Sequence, residues 1–124
     1  MKLTRHSSAD RQLVQRYGNG GFRVSGVVFE GSVIVMPTAS LAWPATSVRL
    51  LSVADFQPLI DRASELDVCL LGCGMQMAPL AREVREALKE AGLSVDPMDT
   101  GAACRTYNVL MGEGRAVAAA LIAI

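Results

Sequence analysis

The sequence predicts an α/β fold, a mixed sheet with helices on both faces. Three observations carry the prediction. Short, wholly apolar runs end in glycine or proline, as buried strands do. Amphipathic stripes of helical period alternate with those runs in the second half of the chain. A pair of strand-like runs near the start reads as an N-terminal β-hairpin and adds antiparallel pairing.

The elements follow in order. Phe22, Val24, Gly26 and Val28 alternate with Arg23, Ser25, Val27 and Phe29, which predicts one partly two-sided strand. Glu30-Gly31 is a turn, and Ser32–Met36 is a second strand, ended by Pro37. Thr38–Thr46 is a loop carrying Trp43-Pro44, and Val48–Leu50 is a short strand. Ser52 opens a helix, with Asp55 completing a capping box. Val53, Phe56, Leu59, Ile60 and Ala63 form its apolar stripe, and Pro58 kinks or splits it. Val68–Leu71 is a buried strand that enters the turn Gly72-Cys73-Gly74. Pro79–Ala91 is a helix, with Pro79 at the first helical position and Gly92 as its stop. Leu93–Asp96 is a strand. Asp99 or Thr100 caps a helix that runs to Met111, and Val117–Ile122 is the last strand.

Composition bounds the function. The chain has 124 residues, 51% hydrophobic and 19% charged, which fits one folded domain and excludes a disordered chain. Lys plus Arg (12) cancels Asp plus Glu (12), so no net charge draws the protein to nucleic acid. Residues 1–16 read as a basic, flexible segment ahead of a domain at 17–124. Lys2, Arg5, His6, Asp10, Arg11 and Arg16 leave no room there for the apolar core of an export signal. Asp10 speaks against a mitochondrial presequence. No stretch reaches the roughly 18 apolar residues of a membrane span. Cys69, Cys73 and Cys104 fit a reducing compartment, and the cytoplasm is the expected location. They lack the second ligand pair of a zinc site, so no metal is expected. The single histidine, His6, removes most Ser–His and Cys–His schemes, and no catalytic set is assigned.

One stretch is more specific. It comprises Asp99-Thr100, Ala103-Cys104-Arg105-Thr106-Tyr107-Asn108, Leu110, Glu113-Gly114-Arg115 and Ala119-Ala120-Leu121-Ile122. It resembles the Mth-type domain family, described as a domain of unknown function. Gly72-Cys73-Gly74 is similar to the family's Gly-Thr-Gly turn, with Cys73 as a departure, and Trp43 to a tryptophan in its central loop. The resemblance spans Tyr17 to Ile122. It implies a compact three-layer α/β/α domain with a mixed central sheet. The family includes small bacterial proteins and the mitochondrial complex I assembly factor three. The resemblance therefore implies a non-catalytic assembly or interaction role. Respiratory complex subunits, or their assembly machinery, would be the partners.

The residues also carry readings of their own. Gly72–Gly74 ahead of a helix N-terminus is either a tight turn or a cradle for a small anion such as phosphate or carboxylate. A dinucleotide fingerprint is incomplete, because Met77 stands where its third glycine would be. Gly101, Arg105, Asn108 and Gly112 share one helix face. Arg105 and Asn108 are thus either a solvated stripe or a ligand or partner surface. Asp99 and Thr100 cap the helix or join the anion site. Trp43 plugs the core edge or anchors a partner. Arg115 pairs with an acid across its turn or binds an anion. Cys73 and Cys104 form a conceivable redox pair, with no histidine to activate either thiol. No cofactor is expected.

Overall fold

A computed structural model describes residues 11–124, and in it the run Phe22–Phe29 is two strands rather than one. Ser25 and Gly26 take left-handed backbone, with φ of 45° and 87°. That is the geometry of a two-residue hairpin turn, which matches the twist of the strands it joins. Three strands result: β1 (Val14–Gly18), β2 (Gly21–Val24) and β3 (Val27–Glu30). They form an antiparallel sheet in that order. β1 begins before Tyr17, inside the segment expected to precede the domain. The remainder of that segment, residues 1–10, lies outside the described residues.

β4 (Ser32–Val35) is wholly buried and does not pair with β3. Its hairpin partner is β5 (Ser40–Trp43), which lies in the stretch expected as a loop. Val48–Leu50 is a 3-10 turn rather than a strand. The Ser47 hydroxyl accepts the Arg49 N–H at 3.3 Å, which closes that turn locally before any strand partner is reached. The expected helix from Ser52 is broken by Pro58 into a 3-10 turn, Val53–Phe56, and the short α1 (Gln57–Ile60). The Asp55 carboxylate accepts from the Ser52 N–H at 2.7 Å. β6 (Val68–Gly72) follows, then α2 (Arg82–Glu90), β7 (Val95–Met98), α3 (Thr100–Gly112) and β8 (Val117–Leu121).

The large sheet runs β5-β4-β8-β6-β7. β4 pairs antiparallel with β5 and β8, while β6 is parallel to β8 and β7, so the sheet is mixed. Pro97 is tolerated in β7 because β7 is an edge strand. β8 shows how the layers form. Side chains alternate across a strand. Val117, Ala119 and Leu121 face α3 and the N-terminal sheet. Ala118 and Ala120 face Phe56, Leu59, Leu80 and Leu88 on the other side. Both sets are fully buried, so a three-layer domain closes around β8.

Candidate functional site

The residues singled out in the sequence converge on the start and outer face of α3. Asp99 caps it: its Oδ1 accepts the Ala102 N–H at 2.8 Å. Thr100 is fully buried. Its Oγ1 accepts the Gly74 N–H at 2.8 Å and donates to the Ile122 carbonyl at 2.8 Å. One hydroxyl thus ties together the ends of β6, α3 and β8, and both of its roles are taken within the chain. Gly72 makes this approach possible. A Cβ there would lie 3.0 Å from Thr100 Oγ1 and 3.0 Å from Leu121 Cδ2. Gly74 serves a different purpose, since its φ of 104° disfavours any other residue.

This geometry does not support the anion-cradle reading. An anion needs free N–H donors at a helix start. The Cys73 N–H donates to the Met98 carbonyl at 2.8 Å, and the Gly74 N–H goes to Thr100. α2 begins at Arg82 rather than near Pro79, and Glu83 already supplies negative charge in its first turn. The turn is a structural strand-to-helix junction.

The Arg105–Asn108 stripe faces β1. Asn108 Oδ1 accepts the Val14 N–H at 3.0 Å, and its Nδ2 donates to the Val14 carbonyl at 2.8 Å. The carboxamide thereby imitates a neighbouring strand at the outer edge of β1. Arg105 Nη1 donates to Tyr17 Oη at 2.7 Å. Gly101 leaves room for this pair, since a Cβ there would lie 3.2 Å from Arg105 Nη1 and 3.3 Å from Tyr17 Oη. Tyr107, on the buried face of α3, donates to the Gln12 carbonyl at 2.8 Å. Burial pushes its pKa well above the usual phenol range. Neither Tyr17 nor Tyr107 was assigned a polar role from the sequence. Phenols that pair across most of the chain's length leave no local pattern to read.

Trp43 is buried. Its Nε1 donates to the Asp55 carbonyl at 2.8 Å, and its ring meets Phe56 edge-on at 5.7 Å. It plugs the core edge and presents no exposed anchor. Arg115 is exposed and forms no ion pair among the described residues. Cys73 and Cys104 do not pair: Cys73 packs against the α1–α2 side of the sheet and Cys104 lies among the residues on the α3 side. Burial pushes the Cys69 and Cys104 thiols up to about 12. Cys73 is raised too, again mainly by burial, and its Sγ donates to the Ala78 carbonyl at 3.2 Å. These are conditions of inert thiols.

A surface that sequence reasoning missed lies on the N-terminal sheet. Arg16 and Arg23 stand directly opposite each other on β1 and β2, and Arg23 stands opposite Val28 on β3. They line an open groove of about 410 Å³ with Asn19, Phe29 and Glu30. The Ser-Gly turn at Ser25-Gly26 was the available signal. Reading it would have divided the run into β2 and β3 and aligned these side chains.

Residues 14–122 match the family described as "Protein of unknown function (DUF498/DUF598)". The chain is 36% identical over 110 residues to the zebrafish (Danio rerio) NADH dehydrogenase [ubiquinone] 1 alpha subcomplex assembly factor 3. That alignment covers 89% of this chain and 63% of the relative, so the chain accounts for somewhat under two thirds of the assembly factor's length. Among solved structures, one from Bartonella henselae described as an outer membrane protein superposes with a TM-score of 0.84 at 37% identity, covering 93% of this chain and 97% of that one. A Mth938-like domain from Bordetella pertussis superposes with a TM-score of 0.76 at 29% identity, covering 98% and 92%. The chain belongs to this Mth938-like, DUF498/DUF598 family.

Proposed function

We propose that the protein is a non-catalytic interaction module that assists the assembly of a respiratory NADH dehydrogenase or a related multisubunit complex. The likeness to the assembly factor, spread over 110 residues, carries this reading. The site geometry supports it. Asp99, Thr100, Arg105, Asn108 and Trp43, the strongest chemical candidates in the sequence, each have an intramolecular partner that accounts for them. Their roles are to lock α3 and the N-terminal sheet onto the core and to leave the surface to do the binding. The three free thiols suit a reducing compartment, and we place this work in the cytoplasm.

Deleting the coding sequence in its own host and measuring assembled NADH dehydrogenase on native gels tests the reading. A fall in the assembled complex, restored by the wild-type chain, is the expected result. Unchanged complex content and respiration would remove it.

A further inference from the structure

Arg16 and Arg23 form a cationic pair that the fold exposes and does not neutralise. β1 and β2 meet at the turn Asn19-Gly20, so Gly18 pairs with Gly21, Tyr17 with Phe22 and Arg16 with Arg23. Side chains alternate across a strand. Phe22 lies in the core and Tyr17 packs against it, so both arginines stand on the opposite, exposed face. Directly opposed residues have Cα atoms about 5 Å apart, close enough for two guanidinium groups to meet one anion. Like charges so placed repel each other. Among the described residues no acid lies in ion-pair range of either arginine. Both line the open groove of about 410 Å³. Its single acid, Glu30, sits away from them. Glu30 stands opposite Gly21, in a row about 7 Å further along the strands. It is one strand over from Arg23 and two from Arg16. Gly18 and Gly21 carry no side chain, so that row is a floor of bare backbone.

We infer that Arg16 and Arg23 together hold the dianionic phosphate of a small phosphate monoester, whose organic part lies over the glycine floor. Two positive charges balance two negative ones, and planar guanidinium forks suit phosphate oxygens. A bound dianion also relieves the repulsion within the pair. The groove limits what the phosphate can carry. No third cation lines it, so a diphosphate or a nucleic-acid backbone would bring its further charges toward Glu30 or into solvent. A monocarboxylate brings only half the charge. This site is remote in sequence from the Gly72–Gly74 turn, and it stands apart from the assembly reading.

The probes are glycerol 2-phosphate, inorganic phosphate, pyrophosphate and acetate, at constant ionic strength and a pH where the monoester is dianionic. Binding is followed by the backbone amide and arginine Nε–H shifts of the full chain. Saturable shifts with glycerol 2-phosphate are expected at Arg16, Arg23 and Gly18–Gly21. Arg16→Gln and Arg23→Gln should each weaken binding about tenfold, as the loss of a charged hydrogen-bond donor does. Arg49→Gln removes another exposed arginine with no acid in ion-pair range among the described residues, and it should change nothing. Glu30→Gln should favour pyrophosphate more than the monoester. No saturable shift at tens of millimolar glycerol 2-phosphate would overturn the inference. So would an equal response to acetate, or an equal loss in Arg49→Gln. Inorganic phosphate or pyrophosphate binding the wild type more tightly than the monoester would overturn it too. None of these outcomes bears on the deletion experiment, so the two readings fail separately.

Discussion

At one edge of the N-terminal sheet, Val14 gives both of its backbone groups to Asn108; at the other, Val28 meets no such side chain among the described residues. The strands are of similar length and lie in the same small sheet. What differs is the neighbour. α3 packs beside β1, and its Asn108 and Arg105 stand close to one turn apart, so one helix face can reach both Val14 and Tyr17. Among the described residues, nothing equivalent flanks β3. An exposed edge left unpaired is an aggregation hazard that proteins usually blunt with lysine, proline or a bulge. β3, Val-Val-Phe-Glu, has only Glu30 at its end. The contrast teaches that a helix side chain can take up the backbone groups of one sheet edge while the opposite edge of the same sheet stays open.

The comparison can be broken most severely at Asn108. Asn108→Ala leaves the Val14 N–H and carbonyl without their partner, and two lost bonds of ordinary strength cost about 2 kcal/mol. Urea unfolding should show that loss, with faster amide exchange at Val14. A loss under about 0.5 kcal/mol would mean that water replaces the carboxamide fully and that β1 is no better sealed than β3. Tyr107→Phe comes next. It removes the donor to the Gln12 carbonyl just ahead of β1 and keeps the buried ring, so about 1 kcal/mol of stability should go. Unchanged stability would show that the chain leading into β1 is held by α3 through packing alone.

Much of the central architecture was legible because it depends on local pattern. Val68–Leu71 and Val117–Ile122 are apolar runs that end at turns, and the helix after Asp99 carries both a cap and a period. The N-terminal half was less legible. Whether Phe22–Phe29 is one strand or two depends on two left-handed residues, Ser25 and Gly26, and an apparent alternation of side chains runs straight through them. β5 was hidden because Ser40–Trp43 mixes polar and apolar residues, and its pairing is set by β4 rather than by its own alternation. The site was legible as a list of residues and illegible as a function. Arg105 and Asn108 do share a face, as their spacing requires. Whether that face meets solvent, ligand or strand is decided by β1, which lies some ninety residues earlier in the chain.

Tyr17→Phe tests the weaker half of the sealed edge. The Arg105–Tyr17 bond is exposed, so water can replace it, and a cost of about 0.5 kcal/mol or less is expected by urea unfolding. A cost near that of Asn108→Ala would place the seal in the Arg105–Tyr17 bond instead of in the carboxamide.

The smallest effect belongs to the open edge. Val28 is 65% exposed and opposes Arg23, so Val28→Thr keeps a β-branched side chain and removes almost no buried contact. Thermal and urea unfolding should agree with the wild type within about 0.5 kcal/mol. A larger loss would show that Val28 is already covered in solution, as it would be in a β3-paired dimer, and the midpoint would then depend on protein concentration. If the loss is small and independent of concentration, β3 is a free edge in the isolated protein, and the Val28 side chain contributes little to folding.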